Sequence, residues 1–260
     1  MTPLIPIDQI YFKREDLNPT GSAKDRVIPL IIKYISQNHF SEAVISSTGN
    51  AAISAQYFCQ KANIKLTVFV SPKTSLSKLK LITNPVITPR PISDAFKYAK
   101  RTQAYFIRLS TDPQTLTGYR QIGQEITAQL PQTTSVFVPT GSGATALGIR
   151  QSLPRQTKLF IVQPAGYCPL ASNFDHNFTP ESQVLTDALR GRYLPLKKKV
   201  LDIIKAGIVV QNWELIEAQK YLQKHLLRTS PEGALALAGY FKQHHQAGQF
   251  PVILLTGTQR

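Results

Sequence analysis

Lys24 lies in the run Asn18-Pro19-Thr20-Gly21-Ser22-Ala23-Lys24-Asp25-Arg26, between a strand-like stretch and an apolar helix. Asn-Pro-Thr-Gly is turn chemistry, because proline fixes φ and glycine tolerates positive φ. Ser22 is placed to cap the helix that follows. On this reading Lys24 falls in the first helical turn, where the helix field is positive and disfavours an ammonium. A lysine amine kept neutral is both a nucleophile and a base. A lysine at a helix start is also an ordinary surface feature, and other loops are needed to decide between the two.

The first such loop is Ser46-Ser47-Thr48-Gly49-Asn50, between a strand and a helix starting at Ala51. Ser47, Thr48, Gly49 and Asn50 would present backbone N–H groups and hydroxyls at a helix start, which suits a carboxylate or a phosphate. The second is Pro139-Thr140-Gly141-Ser142-Gly143-Ala144-Thr145, between Val136-Phe137-Val138 and an apolar helix. Gly141 and Gly143 allow close approach of an anion to the backbone, and Ser142 and Thr145 add hydroxyls; the expected ligand group is a phosphate. The same stretch matches G-x-G-x-x-A loosely. The next strand ends at Gln163-Pro164, where a dinucleotide site would want an acidic residue about twenty positions on, so NAD is disfavoured. The third is Leu254-Leu255-Thr256-Gly257, an apolar strand ending in a hydroxyl. Ligands of open α/β sheets collect at the carboxyl ends of strands, which puts Thr256 within reach of one. A reactive lysine, a phosphate cradle, a carboxylate loop and a neutral hydroxyl together match pyridoxal phosphate carrying an amino acid. No metal site is expected.

The elements that must position these loops alternate along the chain. Strands are expected at 10–14, 43–46, 65–71, 104–109, 135–139, 158–163 and 252–255, each short and bounded by Pro, Gly or Ser. Helices are expected at 23–36, 51–62, 92–102, 116–130, 145–151, 196–205, 213–226 and 231–246. Ile28, Ile31, Ile32 and Ile35 give the first helix one apolar face, and Ile216, Ala218, Tyr221 and Leu222 do so for a later one. The segment 168–186 reads as a long loop. The alternation predicts an α/β protein with open, mainly parallel sheets and flanking helices. Two anion loops on different strand–helix units predict two lobes, with the cofactor in the interlobe cleft. The smaller lobe, residues 40–112, would carry the substrate-carboxylate loop, and residues 1–39 plus 113–260 would form the larger cofactor-binding lobe.

Composition narrows the class. At 260 residues, 42% hydrophobic and 17% charged, the chain reads as globular. No apolar run is long enough to span a bilayer, and the first residues do not form a signal peptide. Cys59 and Cys168 are too few for a disulfide framework. A cytoplasmic protein is expected. The net charge of +15 favours anionic partners. The basic residues are dispersed, however, and Lys197-Lys198-Lys199 reads as a solvated helix face, so a nucleic-acid partner is disfavoured.

Nearly the whole chain resembles the fold type II pyridoxal-phosphate-dependent enzymes, the tryptophan synthase β-subunit superfamily. Thr2-Pro3-Leu4 resembles the family's opening, and the run from Lys13 to Arg26 resembles its cofactor-lysine motif. Ser47-Thr48-Gly49-Asn50 is similar to its substrate-carboxylate loop, and Gly141-Ser142-Gly143-Ala144-Thr145 to its phosphate loop. Ser230-Pro231-Glu232-Gly233-Ala234 and Leu255-Thr256-Gly257 resemble its C-terminal elements. Ser-Thr-Gly-Asn, the region of Gly118 and Tyr119 with Gln124-Glu125-Ile126, and Leu-Thr-Gly make threonine synthase the nearest likeness. The phosphate loop departs from that pattern toward cysteine synthases and threonine dehydratases. Ala51 stands where threonine is common, Ala144 where glycine is common, and the chain is short at both ends against the family.

The resemblance implies that Lys24 holds pyridoxal 5'-phosphate covalently and removes the substrate's α-proton. Asn50 would hydrogen-bond the cofactor's phenolic oxygen, and Thr256 would face its pyridine nitrogen. A hydroxyl there draws less negative charge into the ring than a carboxylate would, which suits elimination or replacement at Cβ or Cγ. The implied activity is a threonine-synthase-like lyase acting on an amino acid, in a homodimer. Cysteine-synthase-type β-replacement and threonine or serine dehydration are alternatives. A degenerate, non-catalytic protein that binds the cofactor or an amino acid is an alternative of another class.

Overall fold

The computed structural model describes residues 1–186, 189 and 194–259. The chain opens with an antiparallel pair, β1 (Leu4–Ile7) and β2 (Ile10–Arg14). A smaller compact unit, Lys24–Gln114, follows, and Thr115–Arg260 returns to join Met1–Ala23 in a larger one. The boundary expected at residue 40 lies instead at 24. The segment after Lys24 groups with the smaller unit because its helix α1 (Ile28–Gln37) packs on α2 (Asn50–Lys61).

The smaller unit also contains β3 (Glu42–Ser46), β4 (Lys65–Val70), the one-turn helix α3 (Leu76–Leu79), β5 (Val86–Ile87), α4 (Pro91–Thr102) and β6 (Tyr105–Ile107). Its sheet runs β5-β4-β3-β6, every pair parallel. The four isoleucines of α1 are all buried, as their spacing predicts. Val44, Phe69, Ala95, Ala99 and Ala104 form a core between the sheet and α4.

Glu42 ties three elements of this unit together. It accepts hydrogen bonds from Thr67 on β4 at 2.7 Å and Tyr98 on α4 at 3.0 Å, with the Lys65 ammonium at 3.2 Å. Burial pushes its carboxyl up, but the Thr67 and Tyr98 hydrogen bonds and Lys65 outweigh that and hold it below the ordinary carboxylate range. Because the folded value lies below the unfolded one, Glu42 contributes stability that is complete above the unfolded pKa. That stability is lost as pH falls through the folded value. Urea unfolding of wild type and Glu42→Gln is therefore expected to show a stability gap at neutral pH that narrows toward pH of about 3. A gap independent of pH would rule out the charge as its source.

The larger unit continues with α5 (Gln114–Gln129), β7 (Ser135–Pro139), α6 (Ala144–Arg150), β8 (Lys158–Pro164), α7 (Lys197–Ile203), β9 (Gly207–Val210), α8 (Asn212–Lys224), α9 (Pro231–Ala247) and β10 (Pro251–Leu255). Its sheet runs β1-β2-β10-β7-β8-β9, parallel except at β1. The central strands are continuous apolar runs, as strands covered on both faces must be. Val136, Phe137, Val138 and all of β10 are buried. Phe137 stacks on Phe160 at 4.8 Å, and α9 buries Leu235, Ala236, Leu237 and Ala238 in the same core.

Three strands and one helix escape the sequence pattern: β1, β5, β9 and α3. β5 has only two residues and α3 only one turn, too short for any periodicity. The stripe on α8 is also phased differently from expectation. Leu215, Ala218 and Leu222 are buried, Tyr221 packs beside them, and Ile216 is exposed. The spacing of three and four residues selects the face that meets α9. Lys197, Lys198 and Lys199 are exposed on α7 while Val200 turns inward, the solvated face expected.

A buried cation anchors the chain start within the larger unit. Lys13 is fully buried and donates to Thr2 O at 2.7 Å, Glu125 Oε2 at 2.6 Å and Gln129 Oε1 at 2.9 Å. Glu15, also fully buried, accepts from Thr2 Oγ1 at 2.5 Å and Asn18 Nδ2 at 2.8 Å. Lys13 is paired with Glu125 and Glu15 is hydrogen-bonded, which offsets the cost of burying these charges. The turn before Lys24 thus starts from a fixed point. No helix among the described residues is long and apolar enough to cross a membrane.

Candidate functional site

Lys24 does not stand in the first turn of an α-helix. It lies in a short 3₁₀ segment, Ala23–Arg26, and α1 begins only at Ile28. Pro29 marks the break: it has no N–H to donate backward to Asp25, so the helical hydrogen-bond ladder does not run through it into the 3₁₀ segment. Proline is tolerated in the first helical turn, where α1 places it. The helix-field argument for Lys24, and Ser22 as its cap, therefore have no footing; Val27 occupies the N-cap position.

What fixes Lys24 instead is the pinning of its neighbours. Ala23 N–H donates to Thr256 O at 2.9 Å, Thr258 N–H to Gly21 O at 2.9 Å, and Ser22 bridges Gly257. The Asn18–Gly21 turn closes with Gly21 N–H on Asn18 O at 2.7 Å, and Gly21 has a φ of 75° that glycine adopts without strain. On the other side, buried Asp25 accepts from Ser54 Oγ at 2.6 Å. Ser54 stands one helical turn beyond Asn50 on α2. The structure thereby joins the Lys24 turn to the helix that the 47–50 loop begins. Sequence reasoning missed Asp25 and Ser54 as a pair, because only the fold brings residues this distant in sequence together.

The 47–50 loop follows β3 and leads directly into α2. Ser47 Oγ accepts from Gly49 N–H at 3.3 Å, and no side chain caps the helix. A Cβ at Gly49 would meet nothing within 4 Å, so the loop borders open space. Ser47, Thr48, Gly49 and Asn50 are all half-buried. Uncapped N–H groups at the start of a 12-residue helix can receive a carboxylate.

The 139–145 loop leaves the carboxyl end of β7 and starts α6, again without a side-chain cap. Gly143 has a φ of 88°, and a Cβ there would lie 2.2 Å from Cγ2 of Val200. Glycine is required twice over, by conformation and by space. The backbone is held close by its neighbours while the first N–H groups of α6, at Ala144 and Thr145, keep no helical partner. Gly141, Ser142 and Thr145 are half-buried, and Gly143 and Ala144 are buried.

Gln163, set aside at the sequence level as the strand end where an acidic residue was absent, anchors this loop. It is fully buried, donates from Nε2 to Thr140 O at 3.0 Å, and accepts from the N–H groups of Leu170 and Ala171 at 2.8 Å each. A long polar side chain at a strand end before a turn was the one available signal. Thr256 follows directly on β10 and is half-buried, and its neighbour Gly257 accepts from Ser230 N–H at 2.7 Å and Thr229 Oγ1 at 2.8 Å. The Ser230–Gly233 segment opens α9 beside that strand end. Within each unit, then, an uncapped helix start follows the carboxyl end of a parallel strand.

Threonine dehydratase of Nicotiana attenuata is 26% identical over 270 residues, covering 95% of this chain and 45% of the relative. Threonine synthase of Methanosarcina acetivorans is 27% identical over 270 residues, covering 92% of this chain and 66% of the relative. The chain thus spans between about half and two thirds of the length of these relatives. The solved structure of maize serine racemase superposes with a TM-score of 0.87 at 18% identity, over 100% of this chain and 88% of that one. At that identity the likeness is one of fold. The family model "Pyridoxal-phosphate dependent enzyme" matches residues 1–257, and the chain belongs to that family.

Proposed function

We propose that this protein is a pyridoxal-phosphate-dependent lyase that performs elimination or replacement at Cβ or Cγ of a hydroxylated or phosphorylated amino acid. The observation that carries this reading is the fixing of both neighbours of Lys24, through Ala23 to Thr256 O and through Asp25 to Ser54. A surface lysine in a mobile turn needs neither contact.

The residues suit the cofactor. Gly143, which no other residue can replace without strain, sets the unpaired N–H groups at the start of α6 for a phosphate. Gly141, Ser142, Ala144 and Thr145 complete that cradle. Pyridoxal phosphate, when bound, supplies an electron sink for charge developing at the substrate's Cα. The Lys24 amine would hold the cofactor covalently and, when free, take the proton from Cα. Ser47, Thr48 and Gly49, at the uncapped start of α2, would hold the substrate carboxylate. Asn50 would donate to the cofactor's phenolic oxygen. Thr256 would offer its neutral hydroxyl to the pyridine nitrogen, which favours departure of a leaving group over transamination.

The named activities of the relatives, threonine dehydratase and threonine synthase, support a substrate with oxygen on Cβ or Cγ. A homodimer and a cytoplasmic location belong to the same proposal. The test is a screen of O-phosphohomoserine, threonine, serine and O-acetylserine on the cofactor-loaded protein. The expected result is a shift of the visible absorbance with at least one of them, with release of phosphate, acetate or a 2-oxo acid. A spectrum that responds to none, with no product, would leave a cofactor-binding protein without catalysis.

A further inference from the structure

We propose that Gln163 is a positioning residue of the phosphate cradle, and that it sets the preference of this site for a phosphorylated pyridine ligand over the unphosphorylated form. The inference rests on the reading of the 139–145 loop as the phosphate site. Gln163 stands near the carboxyl end of β8, beside the strand β7 from which that loop leaves. It has no exposure to solvent, so it meets no ligand and acts through the backbone that it holds.

Its amide holds two different segments. The donor arm runs from Nε2 to Thr140 O at 3.0 Å. Thr140 is buried and immediately precedes Gly141; its N–H donates to Val162 O at 2.9 Å and its Oγ1 to Val138 O at 2.8 Å. With Gln163 in place, the N–H, the hydroxyl and the carbonyl of Thr140 are all engaged, and the cradle starts from a fixed point. The acceptor arm receives the N–H groups of Leu170 and Ala171, at 2.8 Å each. Leu170 is fully buried, and its Cδ1 lies 3.7 Å from the position of a Cβ built on Gly143, which Val200 approaches more closely still. One side chain therefore fixes both the entry of the loop and part of the wall behind Gly143.

An amide of this length does both tasks. A glutamate would keep the acceptor and lose the donor, and a methionine would offer neither in useful strength. Removing the amide leaves one carbonyl and two N–H groups buried without partners, which favours any shift of the loop that pairs them again. Phosphate is the ligand group that registers such a shift. Hydrogen bonds weaken steeply with angle, and the N–H groups at the start of α6 must converge on one anion. The aldehyde, the phenolic oxygen and the pyridine nitrogen are assigned to Lys24, Asn50 and Thr256, and not to this loop.

The test is absorbance titration of the full chain with pyridoxal phosphate and, separately, with pyridoxal, which carries the aldehyde but no phosphate. Gln163→Met is expected to lower the affinity for pyridoxal phosphate about tenfold or more, and that for pyridoxal by about twofold or less. Gln163→Glu, which keeps the Leu170 and Ala171 contacts, is expected to shift the ratio of the two affinities in the same direction, and serves where Gln163→Met does not fold. Arg150→Met is the comparison for a general loss of stability. Arg150 closes the far end of α6 by donating to Thr157 O at 2.6 Å and Leu153 O at 2.7 Å. Its replacement is expected to lower the urea midpoint and leave the ratio unchanged. An unchanged ratio in the Gln163 variants, or an equal fall of the ratio in Arg150→Met, overturns the role of Gln163 and leaves the phosphate site standing. A wild-type protein that binds both ligands equally removes the phosphate site and this inference with it.

Discussion

Gly143→Val is expected to abolish cofactor retention, with a far larger effect than Ser142→Ala at the adjacent residue. Two penalties act at the same residue. Gly143 sits at a φ of 88°, which a β-branched residue adopts at a cost of about 1–3 kcal/mol. The added Cβ would also lie 2.2 Å from Val200 Cγ2, and overpacking of this kind costs about 1–3 kcal/mol more. Relief of either penalty moves the loop and, with it, the N–H groups at the start of α6. Ser142→Ala removes at most one hydrogen bond to a charged group, worth about 1.5–3 kcal/mol, and leaves the backbone in place. Gly143→Ala paired with Val200→Ala separates the terms: the packing penalty should fall and the conformational one persist. The measurement is cofactor affinity by absorbance titration, with urea unfolding of each variant alongside. A Gly143→Val protein that unfolds like its parent and binds pyridoxal phosphate as tightly would place the phosphate elsewhere.

Lys24→Ala is expected to remove the visible absorbance of the bound cofactor completely while the protein stays folded. The turn around residue 24 is held by backbone atoms of Ala23 and Gly21 and by the Asp25 side chain. Replacing the side chain therefore leaves those hydrogen bonds in place. Phosphate contacts at the 139–145 loop do not require a lysine, so a weaker, non-covalent affinity for the cofactor should survive. Loss of the covalent absorbance with an unchanged unfolding midpoint is the expected pair of results. A variant that keeps the parent spectrum would assign the cofactor to another lysine.

The parts of this protein that were readable from sequence are those whose determinants are adjacent in the chain. The Lys24 run, the 47–50 loop and the 139–145 loop each combine turn residues and hydroxyls within a few positions, and each stands where strand gives way to helical structure. The buried parallel strands were equally legible, because 135–139 and 252–255 are unbroken apolar runs. What escaped reading depends on distant partners or on short elements. The break between the 3₁₀ segment of Lys24 and α1 is marked by Pro29, which the apolar stripe of α1 masks. Leu215 and Ile216 are equally hydrophobic neighbours, and only packing on α9 selects the first. Asp25 with Ser54, and Gln163 with Thr140, are joined by the fold across more than twenty residues of chain. Their burial makes them matter, since a polar group out of water must find its partner inside.

The most direct measurement is borohydride reduction of the pyridoxal-phosphate-loaded protein, followed by digestion and mass spectrometry. Reduction freezes the cofactor onto whichever amine holds it, independently of any substrate or turnover. The phosphopyridoxyl mass is predicted on a single peptide, that containing Lys24, and on no peptide of the Lys24→Ala protein. The same mass on another lysine, or on none, would contradict the assignment of Lys24 as the residue that binds the cofactor.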